Sequence, residues 1–537
     1  MEQTNAAAKR AKRAERAAKA AHARKTVKKA GSFVFSRLVL TCLLLLIEVV
    51  WLAVLFNVLT AYANWINGIC LLFSIVMCLL LIRQDSTAPE FKISWMVLFM
   101  VMPVQGGLLY LMWGDKRPAR PLRRKLERAA QDTRPLRVAD PAAQTLLESA
   151  DPRAARTAAY LRDYGPYPVF TNTQVTYYPL GEAMFADMLP ALESAEHFIF
   201  VEFFIISQGE MWESIHEILR RKAAAGVDVR VIYDDAGCVT GLPVRYWRKL
   251  EAEGIHSFSF NPFVPMLNLV MNNRDHRKIL VVDGHTAFTG GVNLADEYIN
   301  KLDRFGHWRD SGVRLHGEAA WSFTTMFLEF WDANRPTSEQ PHQLRPGRYH
   351  PQPFTPDGLV QPFSDSPVDE ESMAKNVYLE MMGQAQKNLY ICTPYLILDN
   401  DTLTALCLAA KRGVDVRIYT PGIPDKKMIY QLTRSYFLTL IKAGVKIYSY
   451  TPGFLHSKTW LCDDRIAAVG SINLDYRSLY LHFECGTLLY GCAALKDIRA
   501  DFLDIERVSR AVTERDCRTS LLGTMLSAVL RMLAPLC

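Results

Sequence analysis

The sequence lacks any Cys-x-x-Cys pair, although its 537 residues include eleven cysteines. Their scattered positions exclude a disulfide framework of the kind found in small secreted domains, and they exclude a four-cysteine zinc site. Three of the cysteines lie inside long apolar segments. We therefore expect free thiols in a reducing compartment.

Most of the chain also lacks an excess of charge of either sign. The formal net charge is +7, and ten of the 62 Lys and Arg but only two of the 55 Asp and Glu lie in residues 1–30. The remainder holds 52 basic and 53 acidic residues, which gives no general case for nucleic-acid binding. We predict that residues 1–30 form a basic cytoplasmic tail, which either lies on anionic headgroups or is solvated and only fixes the orientation of the chain.

Three long apolar runs follow the tail, at 38–59, 65–82 and 93–113. Runs of this length predict membrane-spanning helices, so residues 31–114 are expected to form a helical, multi-pass anchor in the cell membrane. The segment "MPVQGG" interrupts the third run and favours a bent or non-spanning helix there. Basic segments on both sides of the anchor then favour two full spans, with the body in the cytoplasm.

The rest of the chain is a duplicated α/β unit. The order strand, helix, strand occurs in "EHFIFVEFFI", "MWESIHEILRRKAAAG" and "VDVRVIYDD", and it returns in "KNLYICTPYLIL", "DTLTALCLAAKRG" and "VDVRIYT". Such units predict largely parallel sheets covered by helices, here as two α/β/α sandwich domains packed about a pseudo-twofold axis. The predicted divisions are a connector at 115–165, domains at 166–335 and 371–537, and a proline-rich linker at 336–370. The second domain ends in an amphipathic helix, for which packing on the core is favoured over contact with the membrane.

Both copies carry one polar pattern at fixed offsets, whereas the apolar residues between its members change. It consists of His-x-Lys-x4-Asp, an Asn seventeen residues after the His, and a later acid. The residues are His276, Lys278, Asp283, Asn293 and Asp310 in the first copy, and His456, Lys458, Asp463, Asn473 and Glu484 in the second. A surface pair that arose by chance would not repeat in this way, so we interpret the pattern as functional.

The copies differ in length just before the pattern, around "NPFVPMLNLVMNN" in the first copy. This apolar insertion is consistent with a lip that enters the bilayer beside the site, and equally with a loop packed under the core.

Strand geometry separates the residues expected to face a common cleft from those expected to have a structural role. Residues i and i+2 share a face, so His276 and Lys278 point together, as do their counterparts in the second copy. The odd offset of Asp283 and Asp463 favours a structural role near the following turn. If the halves pack about a pseudo-twofold axis, the two His-Lys pairs and the two Asn amides face one cleft.

Such a cleft suits a phosphodiester. Lys and Asn can bind the non-bridging oxygens, one neutral His can attack phosphorus, and the other, protonated, can release the leaving alcohol. Asp310 and Glu484 can orient the rings, in crossed or uncrossed pairing. No metal is expected, because lysine is a poor ligand and no further His or Cys follows at ligand spacing.

The paired His-x-Lys-x4-Asp motif resembles the signature of the phospholipase D superfamily. From about residue 38 onward, "ISWMVLFMVMPVQGGLLYLMWG", "HWRDSGVRLHG" and "INLDYRSLYLHFE" make the chain similar to the bacterial cardiolipin synthases. The resemblance implies phospholipase D-like domains and a phosphatidyltransferase that needs no cofactor. It would move a phosphatidyl group from one phosphatidylglycerol to another and release glycerol. By analogy His276 is the nucleophile and His456 the acid/base, with Asp283 and Asp463 as members of the catalytic motif.

Other activities share this constellation. The alternatives are hydrolysis of phospholipid by a phospholipase D, phosphatidyl transfer to another alcohol, a phosphodiester nuclease and a non-catalytic membrane scaffold. The expected partners are phospholipid substrates and the bilayer, without nucleic acid.

Overall fold

The computed structural model describes residues 46–47, 49–51, 54, 63–84, 88–114, 118, 120–262, 273–337, 341–350, 352–369 and 371–536. The predictions for the basic tail, for most of the first apolar run and for the apolar insertion fall outside these residues. The chain divides into two compact units, an N-terminal helical unit and a body that contains the residues described from 120 onward.

The N-terminal unit contains three described helices, α1 (Ala63–Ile82), α2 (Pro89–Val101) and α3 (Pro103–Trp113). The second apolar run forms α1. Within the described part of the chain, α1 is the one helix long and apolar enough to cross a bilayer, over its nineteen residues 64–82. Gly107 lets α3 approach it closely, since a Cβ at this position would lie 2.4 Å from the Phe73 ring.

The third apolar run is broken, as its Pro and Gly residues predict. Met102 leaves helical geometry between α2 and α3 at φ −137° and ψ 75°, and Pro103 begins α3. Helices of thirteen and eleven residues rise only about 20 Å and 17 Å, less than the hydrocarbon thickness. The number of full spans stays a prediction.

The body begins with a helical connector, α4 (Arg120–Thr133), α5 (Pro141–Ala150) and α6 (Pro152–Tyr164). Asp140 and Asp151 cap α5 and α6 by accepting backbone N–H bonds, and a proline at the first helical position follows each of them. Arg137 fastens the connector to the first half of the body through a 2.5 Å ion pair with Glu329.

The first half of the body is built on a seven-stranded sheet in the order β1-β8-β6-β5-β2-β3-β4. The strands are β1 (Thr173–Tyr178), β2 (Phe198–Phe203), β3 (Asp228–Asp234), β4 (His256–Phe260), β5 (Lys278–Val282), β6 (Thr286–Gly290) and β8 (Gly312–Gly317). The helices are α7 (Gly181–Glu193), α8 (Glu210–Ala224), α9 (Trp247–Ala252) and α10 (Ala320–Asn334), and β7 (His307–Arg309) lies outside this sheet. After the short α11 (Pro346–Tyr349), the chain enters the second half.

The second half repeats this arrangement in the order β17-β12-β11-β10-β14-β15-β16-β9, with one additional edge strand. The strands are β9 (Leu359–Asp365), β10 (Asn388–Cys392), β11 (Asp415–Pro421), β12 (Lys446–Tyr450), β14 (Thr459–Cys462), β15 (Ile466–Gly470), β16 (Glu484–Tyr490) and β17 (Ser509–Val512). The helices are α12 (Met373–Gln384), α13 (Asn400–Lys411), α14 (Lys427–Lys442), α15 (Tyr476–Tyr480), α16 (Ala494–Arg507) and α17 (Leu521–Leu533), and β13 (Gly453–Leu455) lies outside this sheet. The duplication predicted from the sequence is therefore present strand for strand.

The expectation of largely parallel sheets is wrong. In each half only the pairs made by the two strand-helix-strand units are parallel, β2 with β3 and β3 with β4 in the first, and β10 with β11 and β11 with β12 in the second. The two strands of the hairpin that follows each His-Lys pair are antiparallel, β5 with β6 and β14 with β15. The remaining strand pairs of each sheet are antiparallel as well. Every sheet strand near the pair is nevertheless buried, as β2 and β10 are along their whole length.

Two of the backbone connections between the halves are related by the internal repeat. Strands β7 and β13 pair in parallel, with Arg309 opposite Leu455, and an isolated parallel bridge joins Asp275 to Phe483. These contacts are equivalent by the internal repeat, because each links the residue before a histidine with the residue before the acid of the other half. Each half therefore makes the equivalent contact with the other half, as the predicted pseudo-twofold arrangement requires.

The last helix, α17, is present as predicted and packs against α14. Arg531 fixes it by donating to Ser435 and lying 4.4 Å from the Tyr436 ring. Its apolar face is not buried by this packing, because Leu521, Leu522 and three further large apolar side chains remain exposed.

Candidate active site

The hairpins β5–β6 and β14–β15 position the two His-Lys pairs. His276 lies two residues before the first residue of β5 and His456 three residues before that of β14, and each lysine side chain turns back to its histidine. The Lys278 Nζ donates to the His276 carbonyl oxygen at 2.5 Å, and the Lys458 Nζ donates to that of His456. All four side chains are buried. Burial of a lysine amine without a carboxylate partner is costly, which is typical of a functional site rather than of a stabilising core.

The two motif aspartates lie at the hairpin turns, at the opposite end of each strand from the His-Lys pair. Asp283 has a φ of 48° and Asp463 a φ of 53°, in the left-handed region that mirror-image hairpin turns use. Each carboxylate accepts three backbone N–H bonds from the residues that begin the adjacent strand, at 2.7–2.9 Å for Asp283 and 2.6–3.1 Å for Asp463. The carboxylates thus fasten β2 to β5 and β10 to β14.

The two asparagines follow the second strand of each hairpin. Asn293 is bonded at both of its polar atoms, since its Oδ1 accepts from the Ile205 backbone N–H at 3.0 Å and one N–H of its Nδ2 donates to the Tyr298 hydroxyl at 2.8 Å. Asn473 Oδ1 is buried and has no hydrogen-bond partner among the described residues. The equivalent amides therefore differ in their surroundings.

The acids and histidines pair crosswise between the halves. Glu484 of the second half lies 2.8 Å and 2.9 Å, through its two carboxylate oxygens, from His276 Nδ1. Asp310 of the first half lies 2.5 Å from His456 Nδ1. Both carboxylates are completely buried. This arrangement fixes each ring so that Nδ1 carries the proton and Nε2 is available for chemistry.

The backbone holds this crossing in place. The His276 N–H donates to the Phe483 carbonyl at 2.9 Å, and the His456 N–H donates to the Arg309 carbonyl at 2.7 Å. Each histidine is thereby bonded to the residue that precedes its own carboxylate partner. Ser311 and Thr459 add a further bond between the halves through their hydroxyls at 2.8 Å.

The charges of both halves act on one site. Burial, followed by the charges of Lys278, Lys458 and His456, holds the pKa of His276 well below its ordinary value. Burial and Lys458 lower the pKa of His456 to about 4, although Asp310 opposes the change. Burial also lowers the pKa of Lys278 to about 8 and that of Lys458 to about 7. A bound phosphodiester would supply the negative charge that favours the protonated lysines.

Two polar residues of the site were not found from the sequence. Ser471 donates to Glu484, and His482 lies with its ring 5.6 Å from that of His276. Although no further His or Cys follows either pair at ligand spacing along the sequence, the fold thus brings a third histidine beside His276. Possible ligand atoms of His276, His482 and Glu484 lie within 4.8 Å of one another. Comparing the copies position by position would have found both residues, because each replaces a different residue in the first half.

A scan against protein families matches residues 188–304 and 378–505 to the family described as cardiolipin synthase, phospholipase D-like domain. A protein of Streptococcus mutans, described as uncharacterized, is 43% identical over 83% of this chain and 96% of its own. Cardiolipin synthases of Halalkalibacterium halodurans and Bacillus anthracis are each 33% identical, over 88% and 92% of this chain and 95% and 98% of their own.

The fold also matches a solved structure. The phosphatidylserine synthase of Haemophilus influenzae covers 71% of this chain and 97% of its own, with a TM-score of 0.54 and 16% sequence identity. This likeness supports the duplicated fold.

Proposed function

The chain belongs to the cardiolipin synthase family of phospholipase D-like proteins, and from that premise we propose that it transfers a phosphatidyl group between two phosphatidylglycerol molecules. The observation that carries the proposal is the pair of buried imidazoles, each held at Nδ1 by a carboxylate of the other half. If a phosphorus atom is bound between these rings, one imidazole can attack it and the other can protonate the leaving oxygen.

The proposed reaction has two displacements. In the first, Nε2 of one histidine forms a bond to phosphorus while the bond from phosphorus to the glycerol oxygen breaks. The other histidine gives its Nε2 proton to that oxygen, and glycerol leaves. In the second, a hydroxyl of another phosphatidylglycerol loses its proton to this histidine, its oxygen bonds to phosphorus, and the phosphorus–nitrogen bond breaks.

Two ammonium groups and two amides surround the reacting phosphate in this proposal. Lys278 and Lys458 offset the charge that develops on the non-bridging oxygens, with Asn293 and Asn473 near them. Asp310 and Glu484 keep the rings in the required tautomer. Because one phosphodiester replaces another, the exchange needs no external energy source and no cofactor.

The test is product analysis with purified full-length protein and phosphatidylglycerol labelled in its glycerol headgroup. Cardiolipin and free labelled glycerol in equal amounts are expected. Phosphatidic acid without cardiolipin would instead assign hydrolysis. A new phosphatidyl ester that forms only when another alcohol is added would assign transfer to that alcohol.

Metal dependence provides a second test, because His276, His482 and Glu484 have the side chains that a divalent transition metal accepts. We expect full turnover in excess chelator and no increase on addition of zinc. Loss of turnover in chelator with recovery on addition of one metal would contradict the metal-free mechanism.

A further inference from the structure

The two candidate carboxylates have different neighbours, although the hairpins around them are equivalent. Ser471 occupies in the second half the position of Gly291 in the first, 180 residues earlier. The Ser471 hydroxyl donates to Glu484 Oε2. A Cβ at Gly291 would lie 2.0 Å from Asp310 Oδ1, so no side chain fits there. The second half therefore supplies a hydroxyl donor to its acid where the first half has none.

A second difference lies two residues before each acid. This position is Trp308 in the first half, with its ring 5.4 Å from His456, and His482 in the second, with its ring 5.6 Å from His276. Arg477 Nε lies 3.4 Å from His482 Nε2 and can only donate. The neutral His482 ring therefore carries its proton on Nδ1.

That N–H group of His482 is directed toward the same acid. His482 Nδ1 lies 3.8 Å from Glu484 Oε1, is buried, and has no hydrogen-bond partner among the described residues. Burial lowers the pKa of His482 to about 3, so the ring is neutral at physiological pH. Its unused donor lies one short movement from a hydrogen bond to Glu484.

The two carboxylates consequently have different sets of hydrogen-bond donors around them. Each carboxylate accepts hydrogen bonds from two donors, Glu484 from His276 and Ser471, and Asp310 from His456 and from the Ser311 backbone N–H at 2.9 Å. Glu484 in addition faces a third donor, the His482 Nδ1–H group at 3.8 Å, and Asp310 has no equivalent among the described residues. A carboxylate that is shared among more donors stabilises a protonated imidazole less.

On the premise of the proposed phosphatidyl transfer, we propose that Ser471 and His482 are positioning residues that break the symmetry of the site. They weaken the hold of Glu484 on a protonated His276, which keeps His276 neutral as the nucleophile. The closer, less shared Asp310 stabilises the proton on His456, which is the acid in the first displacement and the base in the second.

The surrounding charges agree with this assignment. The charged and titratable groups that act on His276 are Lys278, Lys458, Lys426 and His456, together with Glu484 and His482. The cationic members of this set oppose a proton on His276. At His456, the carboxylate of Asp310 partly offsets the effects of burial and of the lysines.

The first test locates the covalent adduct. Full-length protein is mixed with a short-chain phosphatidylglycerol, denatured at alkaline pH, where phosphohistidine survives, and analysed by peptide mass spectrometry. The adduct is expected on the peptide that contains His276. If cardiolipin forms but the adduct lies on His456, this inference is overturned while the proposed function stands. If no transfer occurs, both fail.

The second test uses the dependence of kcat/KM on pH. His482→Phe and Ser471→Ala each remove a donor near Glu484, so the pKa of His276 should rise and the acidic limb should move to higher pH. The expected shift is about one to two units, the size of one hydrogen bond to a charged group. His482→Asn keeps an N–H near the same place and should restore the wild-type limb.

Trp308→Phe is the matched control, because it removes the ring N–H at the equivalent position of the first half. It should leave the acidic limb in place. An acidic limb that stays fixed in both His482→Phe and Ser471→Ala, with wild-type thermal midpoints, would overturn the inference. Ser471→Ala alone decides it if His482→Phe does not fold.

Discussion

The two halves of the body share a sheet order and a set of reacting groups, but they differ in what surrounds the acids. The first half combines a short acid, Asp310, with a glycine and a tryptophan, whereas the second combines a longer acid, Glu484, with a serine and a histidine. The proposed two-displacement reaction needs two equal groups in unequal roles. The comparison shows how a duplicated fold can keep the same histidine in both halves, while different neighbouring residues give the two histidines different properties.

The largest expected effect comes from removing either histidine. His276→Ala and His456→Ala should each reduce transfer from phosphatidylglycerol by about 10⁴-fold or more, because nucleophile and proton donor act as a unit. A phosphatidyl ester of p-nitrophenol separates them, since this leaving group departs without a proton. It should restore adduct formation in His456→Ala and not in His276→Ala.

His256→Ala is the control for this prediction, because His256 is an exposed histidine on β4 and should leave turnover unchanged. Equal recovery of both active-site variants with the activated ester would contradict the assignment of separate roles.

The lysines come next. Lys278→Met and Lys458→Met should each lower kcat by about 10²–10³-fold, the usual loss when one charge-stabilising donor is removed from a reaction site. Arginine should not replace either lysine, because a planar guanidinium cannot reproduce the compact ammonium that bonds the histidine carbonyl. Steady-state kinetics with Lys301→Met, an exposed lysine, as control measures the effect. A normal kcat in either active-site variant would show that the lysine of that half does not stabilise the reacting phosphate.

The motif aspartates should act on stability instead. Asp283→Asn and Asp463→Asn each weaken three backbone N–H bonds to a carboxylate, so each should cost about 1–3 kcal/mol of unfolding free energy. The kcat of the remaining folded protein should stay within a few-fold of wild type. Thermal unfolding and active-site titration measure the two quantities. A hundredfold loss of kcat with an unchanged thermal midpoint would show that these residues take part in catalysis.

The smallest effect concerns pH and stability. His482 is neutral in the folded protein, where its pKa is about 3, but it gains a proton on unfolding below a pKa of about 6.5. Stability should therefore fall as pH decreases from 7.5 to 5.5, and this one residue should contribute about 1.4 kcal/mol of the loss. His482→Asn cannot be protonated and should show a correspondingly shallower decrease in unfolding experiments. Identical pH dependence in the two proteins would mean that His482 is protonated in the folded state.

Sequence reasoning located the candidate reacting groups because they recur at fixed offsets. His276 and His456 are 180 residues apart, and each is followed by Lys and Asn at the same spacing. The helices and strands of the repeat were also predictable, since the apolar periods of β2, α8 and β3 return in β10, α13 and β11. These features depend on local pattern, which the sequence carries directly.

The remaining features depend on contacts between distant segments. The crossed pairing of acids and histidines follows from β7 pairing with β13, which are separated by more than 140 residues. No periodicity indicates that pairing. His482 was missed because the first half has a tryptophan in its place, so a search for shared residues passes over it. Strand direction was mispredicted because a hairpin, rather than another helix crossover, follows the third parallel strand.

The reciprocal strand contacts between the halves have a consequence for biosynthesis. During translation, His276 emerges from the ribosome long before residue 484, and until then it has no carboxylate to orient it. A chain interrupted anywhere between them would carry a complete first motif and remain inert. If the proposed phosphatidyl transfer holds, premature release thus yields no half-active enzyme that would cleave membrane lipids without an acceptor.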